Sequence, residues 1–130
     1  TVFLGKPKSE SLRIYEVLKE AQRVAVETLR PGVTCGEVYD RATGYIAAKG
    51  YGNQWVMDQI GYGVGIRQSE FYPIIAKGSQ TVLQENMVVD LLLPTIYVPG
   101  VGGPRITDTI LISKDRAEYL TDFPAETIWK

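Results

Sequence analysis

The stretch that decides the reading is IGYGVGIRQSEFYP, residues Ile60 to Pro73. Three glycines, Gly61, Gly63 and Gly65, alternate with Tyr62 and Val64. Glycine at this density inside a β-rich run marks backbone packed closely against something else. If the run is a strand, Gly61 and Gly63 face one side and Tyr62 the other. Tyr62 is then either a hydroxyl presented to a cleft or a packed aromatic bonded to backbone.

Outward from this run, the order of elements is two helices followed by short strands. Residues 9–29 carry Leu12, Tyr15, Leu18, Ala21, Ala25 and Leu29 at spacings of three and four, which predicts an amphipathic helix with Ser9 as its N-cap. Pro31-Gly32 ends it, and Thr34-Cys35-Gly36-Glu37 has the form of a capping box opening a second helix. That helix turns Val38, Ala42, Tyr45 and Ile46 inward, and Gly50 is placed to end it in a left-handed cap. Beyond Gly52, QWVM, GYGVGI, FYPIIA, MVVDLLL, TDTILI and AEYL are short β-rich runs separated by turn residues. The expected architecture is α+β: a single domain over residues 1–130 in which two helices pack on one face of a curved antiparallel sheet.

Composition narrows the chemistry. The chain has 130 residues, 45% hydrophobic and 22% charged, with 14 basic against 15 acidic side chains. That balance gives no electrostatic footprint for nucleic acid. No apolar run is long enough to span a bilayer, and TVFLGKPKSES lacks a secretory hydrophobic region, so a cytoplasmic location is expected. The one cysteine, Cys35, excludes an internal disulfide. There is no histidine, which removes Ser-His and Cys-His nucleophile pairs and every imidazole metal ligand. Catalysis within the chain would fall to carboxylates, Tyr, Lys, Arg, Cys or backbone groups.

The candidate groups lie on the strand runs. Asp58 and Glu70 flank the glycine-rich run, each open to a reading as a solvated strand-end carboxylate. Asp90 is the only charge between Met87 and Leu93. A carboxylate inside a buried strand is expensive unless paired or ligating, so Asp90 either faces a functional cleft or has a structural partner such as Arg105. In PRITDT, alternation puts Arg105 and Thr107 on one face and Ile106 and Asp108 on the other. The segment YVPGVGGP, Tyr97 to Pro104, is a glycine-rich hairpin or loop without the Lys-Ser/Thr of a phosphate loop.

Taken together, these pieces resemble the pita-bread enzymes: creatinase, prolidase, aminopeptidase P and methionine aminopeptidase. LRPGVTCGEVYDRATGYIAAKGYG resembles that family's helix, PGVT turn, helix and Gly-Tyr-Gly exit. GYGVGIRQSEFYP stands in the place of G-H-G-[IV]-G-L-x-x-H-E-x-P, and VLQENMVVDLLLP in that of L-x-x-G-M-V-x-x-x-E-P. VPGVGGPRITDTILIS and YLTDFP match P-G-x-G-G-x-R-I-E-D-T-x-L-V-T and L-T-x-x-P. The resemblance implies the C-terminal half of a pita-bread catalytic domain. In that family two aspartates, one histidine and two glutamates hold two metal ions. The aspartates would lie before Thr1, the histidine position holds Tyr62, and the glutamate positions fall at Leu92 (or Leu93) and at Thr107. Asp58 and Ser69 replace substrate-side histidines.

The implied ligand set is therefore broken, and no metal or other cofactor is expected. The pattern is closest to creatinase and to ectoine hydrolase, whose G-Y-S-I-G and I-S-E-T resemble GYGVG and ITDT here. On that resemblance the expected function is metal-independent, hydrolase-type chemistry on a small nitrogenous substrate with a C–N bond. Tyr62, Glu70 and Asp90 would be the catalytic groups, and Asp58, Ser69, Arg105 and Thr107 would bind substrate. The alternatives are an inactive binding domain, or a Xaa-Pro peptidase completed by an upstream half. Expected partners are the substrate and either that N-terminal half or a second copy of the chain.

Overall fold

The computed structural model describes residues 1–54, 57–67 and 69–123, and the backbone of 128–129. Strand β1 (Val2–Phe3) leads into helix α1 (Ser9–Thr28), then α2 (Cys35–Ile46) and a π-type turn over Ala47–Tyr51. Strands β2 (Gln59–Gly63), β3 (Ile74–Ala76), β4 (Val88–Leu92), β5 (Thr107–Ile112), β6 (Ala117–Tyr119) and β7 (Ile128–Trp129) follow. Strands β2 to β6 form one antiparallel sheet in the order β3-β2-β4-β5-β6. This is the expected α+β plan, two helices against a five-stranded antiparallel sheet. A small parallel pair, β1 with β7, was not expected.

Both helices form for the reasons their sequences give. In α1 the residues Tyr15, Leu18, Ala21 and Ala25 are buried with Leu29 just beyond, and Ile14, Val17, Gln22 and Val26 widen the stripe. Leu12 is only half-buried. The N-cap is Lys8, one residue before the expected Ser9, and its side chain makes no cap; it donates instead to the carbonyl of Gly100. At α2 the capping box is complete: the Glu37 amide donates to Thr34 Oγ1 at 3.2 Å, and the Thr34 amide donates to Glu37 Oε2 at 2.8 Å. The Thr34 amide, and the Thr34 hydroxyl donating to the same Glu37 Oε2 at 2.8 Å, hold the Glu37 carboxyl below its usual range. Gly50, at φ +90°, ends the helical segment as expected.

The strands are shorter than the apolar runs. Of QWVM, Trp55 and Val56 lie outside the described residues, and Gln54 and Met57 are not in a strand. The strand in GYGVGI stops at Gly63, and FYPIIA contributes only Ile74–Ala76. The reason is steric and local. The described residues between β2 and β3 turn back on β2, with the Gly63 amide donating to the Pro73 carbonyl at 2.8 Å and the Glu70 amide to the Gly63 carbonyl at 2.9 Å. A loop that returns its hydrogen bonds to the strand it left cannot also extend it.

The core lies between the helices and the sheet. Ile14, Leu18, Val38, Ala42 and Ile46 from the helices meet Ile75, Val89, Leu91, Ile110 and Ile112. Gly36 brings α2 close to the segment after β3: a Cβ there would stand 2.8 Å from the Ser79 carbonyl oxygen. The Gly36 amide donates to that oxygen at 2.9 Å, and the Cys35 amide to the Thr81 carbonyl at 2.8 Å. Two orphan amides of the helix start are thereby satisfied.

Candidate functional site

The glycines of β2 answer to the chain itself. A Cβ at Gly61 would lie 2.8 Å from the Asp90 carbonyl oxygen, and one at Gly63 would lie 2.3 Å from the Tyr72 carbonyl oxygen. Gly65 leaves room for Glu70, whose carboxylate would stand 3.0 Å from a Cβ there. The alternation therefore fixes the orientation of Tyr62, which occupies the opposite face from Gly61 and Gly63.

On that face the register assembles a polar row. Tyr62 pairs with Asp90 of β4, and Asp90 pairs with Thr109 of β5. Directly opposed residues share a face, with Cβ atoms about 5 Å apart. Asp90 is 8% exposed, and its Oδ1 accepts the Thr109 hydroxyl at 2.6 Å. Tyr62 is half-buried, and its hydroxyl bonds to no described group. Asp90 thus has a hydroxyl partner rather than Arg105, which is exposed and precedes β5.

One rung along, Leu92 pairs with Thr107. Leu92 shares the face of Asp90 and stands outside the hydrophobic core cluster, whereas Leu93 belongs to it. The register therefore selects Leu92 over Leu93 as the residue opposite Thr107. Tyr62, Leu92 and Thr107, the three positions where the resemblance places metal ligands, lie on one face of three adjacent strands. They do not fit a dinuclear metal site, because leucine has no donor atom and tyrosine and threonine are poor donors for hard cations. Among the described residues no three Asp, Glu, Cys or His side chains gather as a metal site would require.

The remaining candidates disperse. Glu70 is half-buried, but its Oε1 accepts the Arg67 amide at 2.9 Å, so the carboxylate is folded onto its own loop. Asp58 and Ser69 are exposed. The Arg105 carbonyl accepts from the Thr1 hydroxyl. Thr109 was not among the sequence candidates, although it lies two residues beyond Thr107 and alternation alone puts both on one face.

A second carboxylate sits on the helix side. Asp108 Oδ2 accepts from Gln22 Nε2 and Oδ1 from the Thr121 hydroxyl, each at 2.9 Å. It borders a cleft of about 480 Å³ whose walls include Lys19, Arg23, Tyr119 and Phe123. Burial raises the Asp108 carboxyl above its usual value, against the two hydrogen bonds. A carboxyl raised in the folded state holds its proton more tightly there than in the unfolded chain, so its contribution to stability falls as pH rises through that window. Asp108→Asn, compared with the parent in urea unfolding, should therefore be relatively more stable at pH 7 than at pH 3. An identical difference at both pH values would contradict this.

The family emerges when this geometry is set beside known proteins. The model of metallopeptidase family M24 matches residues 1–114. The Xaa-Pro dipeptidase of Pyrococcus horikoshii is 41% identical over 128 residues, which is 98% of this chain and 36% of that protein. The crystal structure of a dipeptidase from the same organism superposes with a TM-score of 0.92 at 33% identity, covering 99% of this chain and 35% of the other. Its prolidase gives a TM-score of 0.88 at 41% identity, over 95% and 35%. The chain thus spans about a third of the length of the relatives it matches, and it belongs to metallopeptidase family M24.

Proposed function

We propose that the face carrying Tyr62, Asp90 and Thr109 performs hydrolase-type chemistry on a small nitrogenous compound, cleaving a C–N bond without metal ions at the M24 ligand positions. The observation that carries this reading is Asp90: a carboxylate buried at the centre of a strand, held by Thr109 and directly opposite a free phenol. In such a reaction water adds to the carbon and the nitrogen leaves with a proton. Asp90 is the base that takes the proton of water and returns it to nitrogen, the ordinary division of labour in general acid–base catalysis. Tyr62 donates a hydrogen bond to the group on which charge develops. Thr107 and Leu92 shape the neighbouring wall. The polypeptide that completes the cleft is a preceding segment of M24 type or a second copy of this chain.

Identity of about 40% to Xaa-Pro dipeptidases favours a second reading, a peptidase whose metal ligands come from such a preceding segment. A third, an inactive binding domain, draws on Leu92, which fills a ligand position with a side chain 2% exposed.

The test is Tyr62→Phe, which keeps the ring and removes only the hydroxyl. Amine or ammonia release from small amidines, guanidines and Xaa-Pro dipeptides is followed in the presence of a chelator. Loss of a hydrogen bond to a charged group corresponds to about 1.5–3 kcal/mol, so activity should fall roughly ten- to hundredfold with thermal stability unchanged. Activity confined to Xaa-Pro dipeptides and dependent on added manganese or cobalt would replace this reading with the second. No turnover, together with a lowered melting temperature in the variant, would leave the third.

A further inference from the structure

Among the described residues no cation answers the charge of Asp90. The ion pairs among the described residues join Lys19 to Glu16, Arg23 to Glu20 and Glu27, and Arg116 to Glu118, and none reaches Asp90. A buried carboxylate with no cationic partner is unfavourable unless another group completes it. Its Oδ1 is taken by Thr109. Its Oδ2 has no partner among the described residues, yet no fully buried side-chain oxygen among them lacks one. The small exposed fraction of Asp90 must therefore include Oδ2, which opens onto the face shared with Tyr62.

We propose that Asp90 is the recognition carboxylate for a monovalent organic cation bearing N–H groups, an amidinium or a protonated amine, with Thr109 as its positioning residue. This deepens the function proposed above, and rests on it only in taking this face as the site. An N–H of the cation donates to Oδ2, a charge-assisted bond stronger than a neutral one. Tyr62 lies one cross-strand step away on the same face, where an aromatic ring adds attraction for a cation. Thr109 holds Oδ1, so the carboxylate cannot rotate its free oxygen into the sheet. Leu92 and Val88, two residues to either side of Asp90 on this face, disfavour a strongly hydrated divalent ion and suit a weakly hydrated organic one.

The probe is acetamidinium, titrated into the 130-residue chain at constant ionic strength and followed by amide ¹H–¹⁵N shifts, with neutral acetamide as the isosteric control. Saturable shifts are expected at Gly61–Gly63, Val89–Leu91 and Thr109 with acetamidinium and not with acetamide. Asp90→Asn should weaken binding at least tenfold, Thr109→Val should weaken it severalfold, and Thr109→Ser should restore it. Equal responses to acetamide and acetamidinium, no saturable shift, or unchanged binding by Asp90→Asn would each overturn the proposal. If Asp90→Asn does not fold, the comparison of the two probes on the parent chain decides alone. Amidinium binding without turnover removes the proposed reaction and leaves this site, whereas turnover without Asp90-dependent binding removes the site and leaves the reaction.

Discussion

Gly63→Ala is expected to lower stability at or beyond the upper end of the roughly 1–3 kcal/mol typical of overpacking. The added methyl would lie 2.3 Å from the Tyr72 carbonyl oxygen and 2.7 Å from Pro73 Cδ. Neither neighbour is the free end of a flexible side chain, so the backbone must move. Movement there breaks the bond from the Gly63 amide to the Pro73 carbonyl that returns the chain onto β2. Gly44→Ala is the control. Gly44 lies inside α2 with nothing within 4 Å of an added Cβ, so alanine there should stabilise by about 1 kcal/mol through helix propensity. Urea midpoints measure both. A Gly63→Ala protein as stable as its parent would show that the close approach at β2 is not a constraint.

Leu18→Ala is expected to remove about 2–5 kcal/mol, the range for a large-to-small change in a packed core. Leu18 is fully buried on the sheet-facing side of α1, within the cluster that joins both helices to the sheet. The loss combines the transfer term of the missing carbons with the cavity they leave, and α1 cannot close that cavity without shifting its neighbours Ile14 and Ala21. The chain as a whole is small enough that such a loss is a large share of a typical folding free energy. A loss below about 1 kcal/mol would place Leu18 at a site able to collapse, and would argue against tight packing of α1 on the sheet.

How much was legible in the sequence follows from which interactions are local. The buried stripe of α1 apart from Leu12, the capping box at Thr34 and Glu37 and the stop at Gly50 are set within a few residues, and these stand as read, while the N-cap of α1 falls at Lys8 instead of Ser9. The glycine alternation around Tyr62 correctly announced close packing. What packs there, the Asp90 and Tyr72 carbonyls, is fixed by strand pairing over longer distances and left no local mark. The Lys8 cap was missed because its side chain serves a loop more than ninety residues away. The site was half legible. Asp90 stood out as a charge in an apolar run, but its partner depended on a register that sequence alone does not supply. Arg105 was the nearest opposite charge by motif, and the hydroxyl of Thr109 holds the position instead. The ambiguity between Leu92 and Leu93 also needed the pairing with Thr107 to resolve it.

The central claim is that an M24 scaffold carries here a face whose ligand positions, Tyr62, Leu92 and Thr107, do not build the metal centre. The most direct test is elemental analysis of the purified chain after exposure to manganese, cobalt and zinc and dialysis into chelator-free buffer. The account predicts metal well below one equivalent per chain for each ion. One equivalent or more, retained through dialysis and lost on Asp90→Asn or Tyr62→Phe, would contradict it and return this face to the metallopeptidases.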